Sequence, residues 1–117
     1  MIFDDSKPIF LQVKEQIEDQ IVNDQLKEHE QIPSTTQLVQ LHKINHLTIS
    51  KGVSLLVDSG ILYKKRGVGI FVAANAKQNL LKERKHTFVD QYMKPMLEEA
   101  EKLGISKAEL ISMMKER

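Results

Sequence analysis

The sequence predicts a mainly α chain with a small β-hairpin, and three observations carry that prediction. Apolar residues recur at helical spacing in three stretches, around Ile9–Ile21, Ile49–Leu56 and Leu80–Leu103. Ser34 and Ser106 each stand three residues before a Gln or Glu, the spacing of a capping box that opens a helix. Between them, Ile61-Leu62-Tyr63-Lys64 and Ile70-Phe71-Val72 read as two short strands around a turn that holds Gly67 and Gly69. A chain of 117 residues has room for one small domain and an appendage. It has no cysteine, so it contains neither a disulfide framework nor a thiolate metal site.

The first helix should start near Pro8, since proline suits the first helical position. Ile9, Val13, Ile17 and Ile21 repeat every four residues with Phe10 and Leu26 beside them, while Glu15, Glu18 and Asp19 are expected on the opposite, wet side. Residues 27–32 read as a polar connection. His29 between Glu28 and Glu30 is too sparse a set for a metal. A second, short helix opens at Ser34, with Leu38 and Leu41 expected inward. Lys43 to Asn45 leaves length only for a tight turn. Asn45 then caps a third helix, whose Ile49, Val53 and Leu56 form its buried stripe and which Gly60 ends. Helix, short turn, helix is the helix-turn-helix unit, and the basic hairpin after it has the character of a wing.

Charge is distributed unevenly. The net charge is +1, but residues 1–32 carry three cations and eight anions, whereas residues 33–72 carry five cations and one anion, Asp58. The basic segment is the one that holds the third helix and the hairpin, as a face for phosphates requires. His46, Thr48, Ser50 and Lys51 lie on the first turns of that helix, off the buried stripe. Ser34, Thr35 and Thr36 stand at the start of the helix before it, and Asn45 caps the third. Lys65, Arg66 and Gly67, with Lys64, form the turn of the hairpin, suited to a phosphate backbone or a minor groove.

The last third is helical and different in kind. Ala76, Leu80, Leu81, Phe88, Val89, Tyr92, Met93, Met96, Leu97, Ala100 and Leu103 supply a long apolar stripe. Pro95 inside it should kink or break the helix near Val89–Gln91. Ser106 opens a final helix, with Leu110, Ile111, Met113 and Met114 expected inward. Two helices of this length cannot cover so much apolar surface on each other, so a two-fold homodimer built on residues 76–117 is expected. Its seam would take Leu81, Phe88, Val89, Tyr92, Met93, Met96 and Leu97, joined by Leu110, Ile111 and Met114. Met93, Met96, Met113 and Met114 also allow a different reading, a pocket for a small-molecule effector.

Pro33-Ser34, Thr48-Ile49-Ser50-Lys51, Gly60-Ile61-Leu62 and Arg66-Gly67-Val68-Gly69-Ile70-Phe71-Val72 together resemble the winged-helix domain of GntR-family transcriptional regulators. The resemblance covers residues 8–73, and the short remainder is similar to the YtrA-like branch, with its small helical dimerisation unit. It implies a winged helix-turn-helix DNA-binding domain over residues 1–74 and an α-helical dimerisation region over 75–117. It also implies DNA-facing roles for Ser34, Thr36, Asn45, His46, Thr48, Ser50 and Lys51, a double-stranded DNA operator as partner, and an ABC-transporter operon as target. Relatives commonly carry arginine at the place of Thr36 and often at that of Ser50, and alanine at that of Gly52. Without those arginines, fewer forked contacts to guanine are expected, with more reliance on methyl and hydroxyl contacts or duplex shape.

The other classes find less support. There is no nucleophile with a base, no metal spacing and no phosphate-binding loop, so neither an enzyme nor a cofactor is expected. Gly67-Val68-Gly69 lies in a hairpin rather than before a helix and is no nucleotide fingerprint. No apolar run can span a bilayer and the N-terminus carries no signal pattern, so a cytoplasmic location is expected. A winged-helix module that binds another protein is the alternative to a DNA-binding regulator.

Overall fold

The computed structural model describes residues 3–117. Six α-helices and two strands follow in the order α1 (Ile9–Val22), α2 (Thr35–His42), α3 (His46–Asp58), β1 (Leu62–Lys65), β2 (Gly69–Val72), α4 (Ala76–Phe88), α5 (Lys94–Lys102) and α6 (Lys107–Lys115). A π-helical segment, Val89–Met93, joins α4 to α5. The chain divides into two compact units, one running to Leu81 and the other Lys82–Arg117.

The core of the first unit is where α1 crosses α3. Val13, Ile17 and Ile21 from α1 meet Ile49, Val53 and Leu56 from α3, all buried. The crossing is close because position 52 is glycine: a Cβ there would lie 2.6 Å from the carbonyl oxygen of Phe10. Leu38, Ile61, Leu62 and Val72 extend this core, and Ala76 and Leu80 from the first turns of α4 complete it. Those two residues therefore serve the first unit, although the sequence pattern groups them with the C-terminal stripe.

Glu18 departs from its expected place. It is 7% exposed and pairs with Lys14 at 3.1 Å. A repeat of four drifts about 40° per step on a helix of 3.6 residues per turn. That drift carries the α1 stripe onto the flank that holds Lys14 and Glu18. Gln12 is also buried, because the segment before α1 folds over it. Its amide accepts from Asp4 N at 3.0 Å and donates to the carbonyls of Asp4 and Lys7 at 2.7 and 2.8 Å.

The strands β1 and β2 pair antiparallel, Leu62 opposite Val72 and Lys65 opposite Gly69. Residues 29–32, expected as a polar connection, instead pair along β2. His29 N donates to Val72 O at 2.7 Å, Val72 N to Glu30 O at 2.9 Å, and Ile32 N to Ile70 O at 2.9 Å, with Gln31 bridged to Phe71. Gly69 makes room for this. The Gln31 side chain occupies the space of a Cβ at position 69 and donates to Val68 O at 3.1 Å. His29 shares a 3.0 Å hydrogen bond with the Tyr63 hydroxyl, and Tyr63 stacks on Phe71.

The second unit contains the end of α4, the π-helical segment, α5 and α6. Pro95 has no N–H to give the preceding turn. The chain meets this with the π-helical segment, in which Lys94 N reaches back to Val89 O. Gly104, with φ +72°, ends α5, and Ile105 N closes the turn on Ala100 O at 2.9 Å. Ser106 and Glu109 form the capping box of α6. Ala100 is the one buried apolar side chain of this unit among the described residues. Leu110 is half-buried, whereas Ile111, Met113 and Met114, expected inward, are 50%, 51% and 55% exposed. In one copy of the chain α6 has no second apolar face to bury them against.

Candidate nucleic-acid interface

Local hydrogen bonds set the start of each helix in the helix-turn-helix. The Ser34 hydroxyl accepts from Gln37 N at 3.1 Å and Ser34 N donates to Gln37 Oε1 at 2.8 Å, so both members of the capping box are engaged. Lys43 takes the left-handed conformation, φ +57°, and turns the chain within three residues. Asn45 Oδ1 then accepts Leu47 N at 2.7 Å and starts α3. His42, at the end of α2, packs edge-on to Phe3, and desolvation lowers its pKa below the ordinary histidine value. Leu41, expected inward, is 70% exposed. The two-turn helix directs Thr35, Leu38 and Val39 toward the core, an i, i+3, i+4 arc that leaves Leu41 outside it.

The residues singled out from the sequence fall in three places. Ser34 and Thr36 are exposed at the start of α2, with Thr35 half-buried between them. Asn45, His46 and Lys51 are exposed on α3, and Thr48 and Ser50 half-buried. Lys65, Arg66 and Gly67 are exposed at the tip of the hairpin, where Gly67 adopts φ +76° and Val68 N closes the turn on Lys65 O at 2.9 Å. A groove of about 190 Å³ is walled by Thr35 of α2, Ser50, Ser54 and Asp58 of α3, and Lys64 and Ile70 of the hairpin. Of the residues singled out it brings together Thr35 and Ser50, whereas His46, Lys51, Lys65 and Arg66 stand outside it.

Two of the cations are positioned by aromatic rings. Lys51 Nζ lies 4.0 Å from the centre of the Phe10 ring, and Lys65 Nζ 4.8 Å from that of Phe71. Such contacts fix a long side chain while keeping its charge, since the ring face attracts a cation without neutralising it. Among the described residues no cluster of three or more His, Asp or Glu is placed to hold a metal.

The sequence reading passed over Leu47, which is 77% exposed on the first turn of α3. The signal was present. A residue two before Ile49 sits about 200° away on the wheel, so a buried Ile49 requires an outward Leu47. Val68, at 62%, is the apolar counterpart at the hairpin tip.

Residues 10–72 match the family model of bacterial regulatory proteins, gntR family, over more than half of the chain. The chain belongs to the GntR family. Two relatives from Bacillus subtilis are similar along nearly the whole length. The HTH-type transcriptional regulator YhcF is 29% identical over 97% of this chain and 92% of its own. The HTH-type transcriptional repressor YtrA is 29% identical over 95% and 85%. Among solved structures, a GntR family transcriptional regulator from Listeria monocytogenes superposes with TM-score 0.74 and 27% identity, covering 98% of this chain and 99% of that one. The DNA-binding domain of AraR in complex with operator ORX1 matches with TM-score 0.58 and 32% identity, covering 62% of this chain and 93% of that domain. This GntR member is thus a DNA-binding regulator of the YtrA-like type, a winged helix-turn-helix with a helical C-terminal region, and not an enzyme.

Proposed function

We propose that this GntR protein is a transcriptional repressor that binds an inverted-repeat operator as a homodimer. Residues 1–74 serve as the DNA-binding domain and 75–117 as the dimerising region. The observation that carries the reading is that one compact unit presents the α2 start, the first turns of α3 and the cationic hairpin tip to solvent, with Thr35, Ser50 and Lys64 lining one groove between them. The similarity to an AraR DNA-binding domain in complex with an operator supports DNA as the partner. In this docking α3 enters the major groove, where His46, Thr48 and Ser50 offer hydrogen bonds to base edges and Lys51 meets a phosphate. Ser34, Thr35 and Thr36 approach the backbone, and Lys65, Arg66 and Gly67 follow the adjacent groove. Two such domains in one dimer require half-sites about 34–36 Å apart, one helical turn, or a multiple of that.

Dimerisation draws support from the C-terminal helices. Phe88, Tyr92, Met93, Met96, Ile111 and Met114 are all at least 40% exposed in the single chain, Val89 is 36% exposed, and Leu81, Leu97 and Leu110 are half-buried. A second copy is the economical cover for that surface. The sequence also allows a small-molecule effector at Met93, Met96, Met113 and Met114, but the groove of about 350 Å³ between α5 and α6 is lined by Leu97, Glu98, Ala100, Glu101, Ile105, Lys107 and Leu110 instead, which favours the dimer seam. As target we assign an ABC-transporter operon, as the resemblance to the YtrA-like branch implies. Among the described residues no helix is long and apolar enough to cross a membrane, in keeping with the cytoplasmic location we assign.

Selection of duplexes from a random pool, followed by binding at several salt concentrations, tests the reading. A palindromic site without a guanine-centred core is expected, bound with a steep salt dependence. Arg66→Ala is expected to reduce the log–log salt slope by about 0.9, the contribution of one phosphate. Thr48→Ala is expected to relax base preference at one position and leave the slope unchanged. If both variants bind every duplex as the parent does, this docking is wrong. If the parent shows no salt-dependent shift with any duplex, the protein-interaction reading replaces it.

A further inference from the structure

We propose that Leu47 reads thymine, packing its side chain against the 5-methyl group in the major groove as a specificity-determining residue. The inference rests on the duplex-binding reading of α2, α3 and the hairpin, but its own ground is the geometry of α3. At about 100° per residue, Leu47 lies nearly opposite Ile49 and Leu56, both 0% exposed. It therefore occupies the line that faces farthest from the core. Lys51, Ser54 and Asp58 continue that line, and all are exposed. Leu47 is the apolar member of this otherwise polar row, and the most exposed large apolar residue among those described.

Its position is set by the backbone. The Asn45 cap takes the Leu47 N–H, which holds the residue on the first turn. Helical side chains lean toward the N-terminus, so Leu47 projects past the end of α3, toward whatever that end enters. One turn on, the Phe10 ring holds Lys51. The surrounding segment, residues 33–72, carries five cations and one anion, which suits a duplex. A leucine there can neither donate nor accept a hydrogen bond. The one apolar group that the four bases present in the major groove is the thymine methyl, and leucine matches it.

The test uses the full chain and a duplex that the parent enriches from a random pool. Each thymine is replaced singly by deoxyuridine, which keeps the O4 acceptor and loses only the methyl. Fluorescence anisotropy at fixed salt gives the affinities of the parent and of Leu47→Ala. The parent is expected to lose about fourfold at one thymine of the site, the equivalent of one buried methyl at about 0.8 kcal/mol. Leu47→Ala is expected to bind the thymine and deoxyuridine duplexes alike. A parent indifferent to every exchange, an enriched site free of thymine, or a Leu47→Ala variant with the parent's full discrimination overturns the proposal. A pool that yields no enriched duplex removes the duplex-binding reading itself, and this inference with it.

Discussion

A chain carrying Met96→Glu together with Ile111→Glu is expected to sediment as a monomer at micromolar concentration and to bind its operator at least about a hundredfold more weakly than the parent. Both side chains are already half-exposed in the single chain, at 40% and 50%, so a carboxylate at either place leaves the fold of one copy intact. In a dimer the same two carboxylates are taken out of water without a partner, which a seam built from methionine, leucine and aromatic side chains cannot offset. The loss in affinity follows from tethering. When one domain of a dimer is bound, the second meets its half-site at an effective concentration set by the linkage, and avidity gains of about 10²–10⁴ are usual. The variant gives that gain up while keeping every DNA-facing residue. A half-site duplex should therefore be bound equally by parent and variant, which separates loss of pairing from damage to the interface. A variant that remains dimeric, or a monomer that binds the full operator as tightly as the parent, would remove the proposed role of residues 75–117.

What could be read from the sequence was what short-range chemistry decides. Ser34, Asn45 and Ser106 are caps whose partners lie two or three residues away, and each makes the expected bond. Pro95 announces its own effect within one turn, and the π-helical segment answers it. The hairpin declares itself through Gly67 and the flanking apolar runs. Features that depend on contact between distant segments were hidden. Residues 29–32 are polar in composition, yet pair with β2 because Gly69, far along the chain, leaves space for Gln31. The Phe10 ring captures Lys51 only because α1 and α3 cross at that point. Leu47 and Leu41 are a different case: apolar character suggests burial, but helix phase points both side chains outward.

The crossing of α1 and α3 gives the second large effect. Gly52→Ala is expected to destabilise the first unit by about 1–3 kcal/mol, the usual range for forcing extra volume into a packed core. For a unit of this size that lowers the melting temperature by about 4–8 °C per kcal/mol. Three contacts decide the sign. The new methyl would lie 2.6 Å from Phe10 O and 3.2 Å from both Cβ and Cγ1 of Val13. A flexible side-chain end could yield at little cost, but Phe10 O is backbone inside α1, so the whole helix must move. Alanine's better helix propensity returns less than about 1 kcal/mol and does not reverse the balance. Because the same Phe10 carries Lys51 on its ring, displacing α1 should also free that lysine and weaken DNA binding at temperatures where the variant is still folded. Phe10→Leu separates the two effects, since it releases Lys51 without adding volume at the crossing. Thermal unfolding of Gly52→Ala and Phe10→Leu beside the parent, with affinities measured on one duplex, checks both claims. A Gly52→Ala chain as stable as the parent would mean that α1 can slide outward freely and that the tight crossing contributes nothing to holding α3 in place.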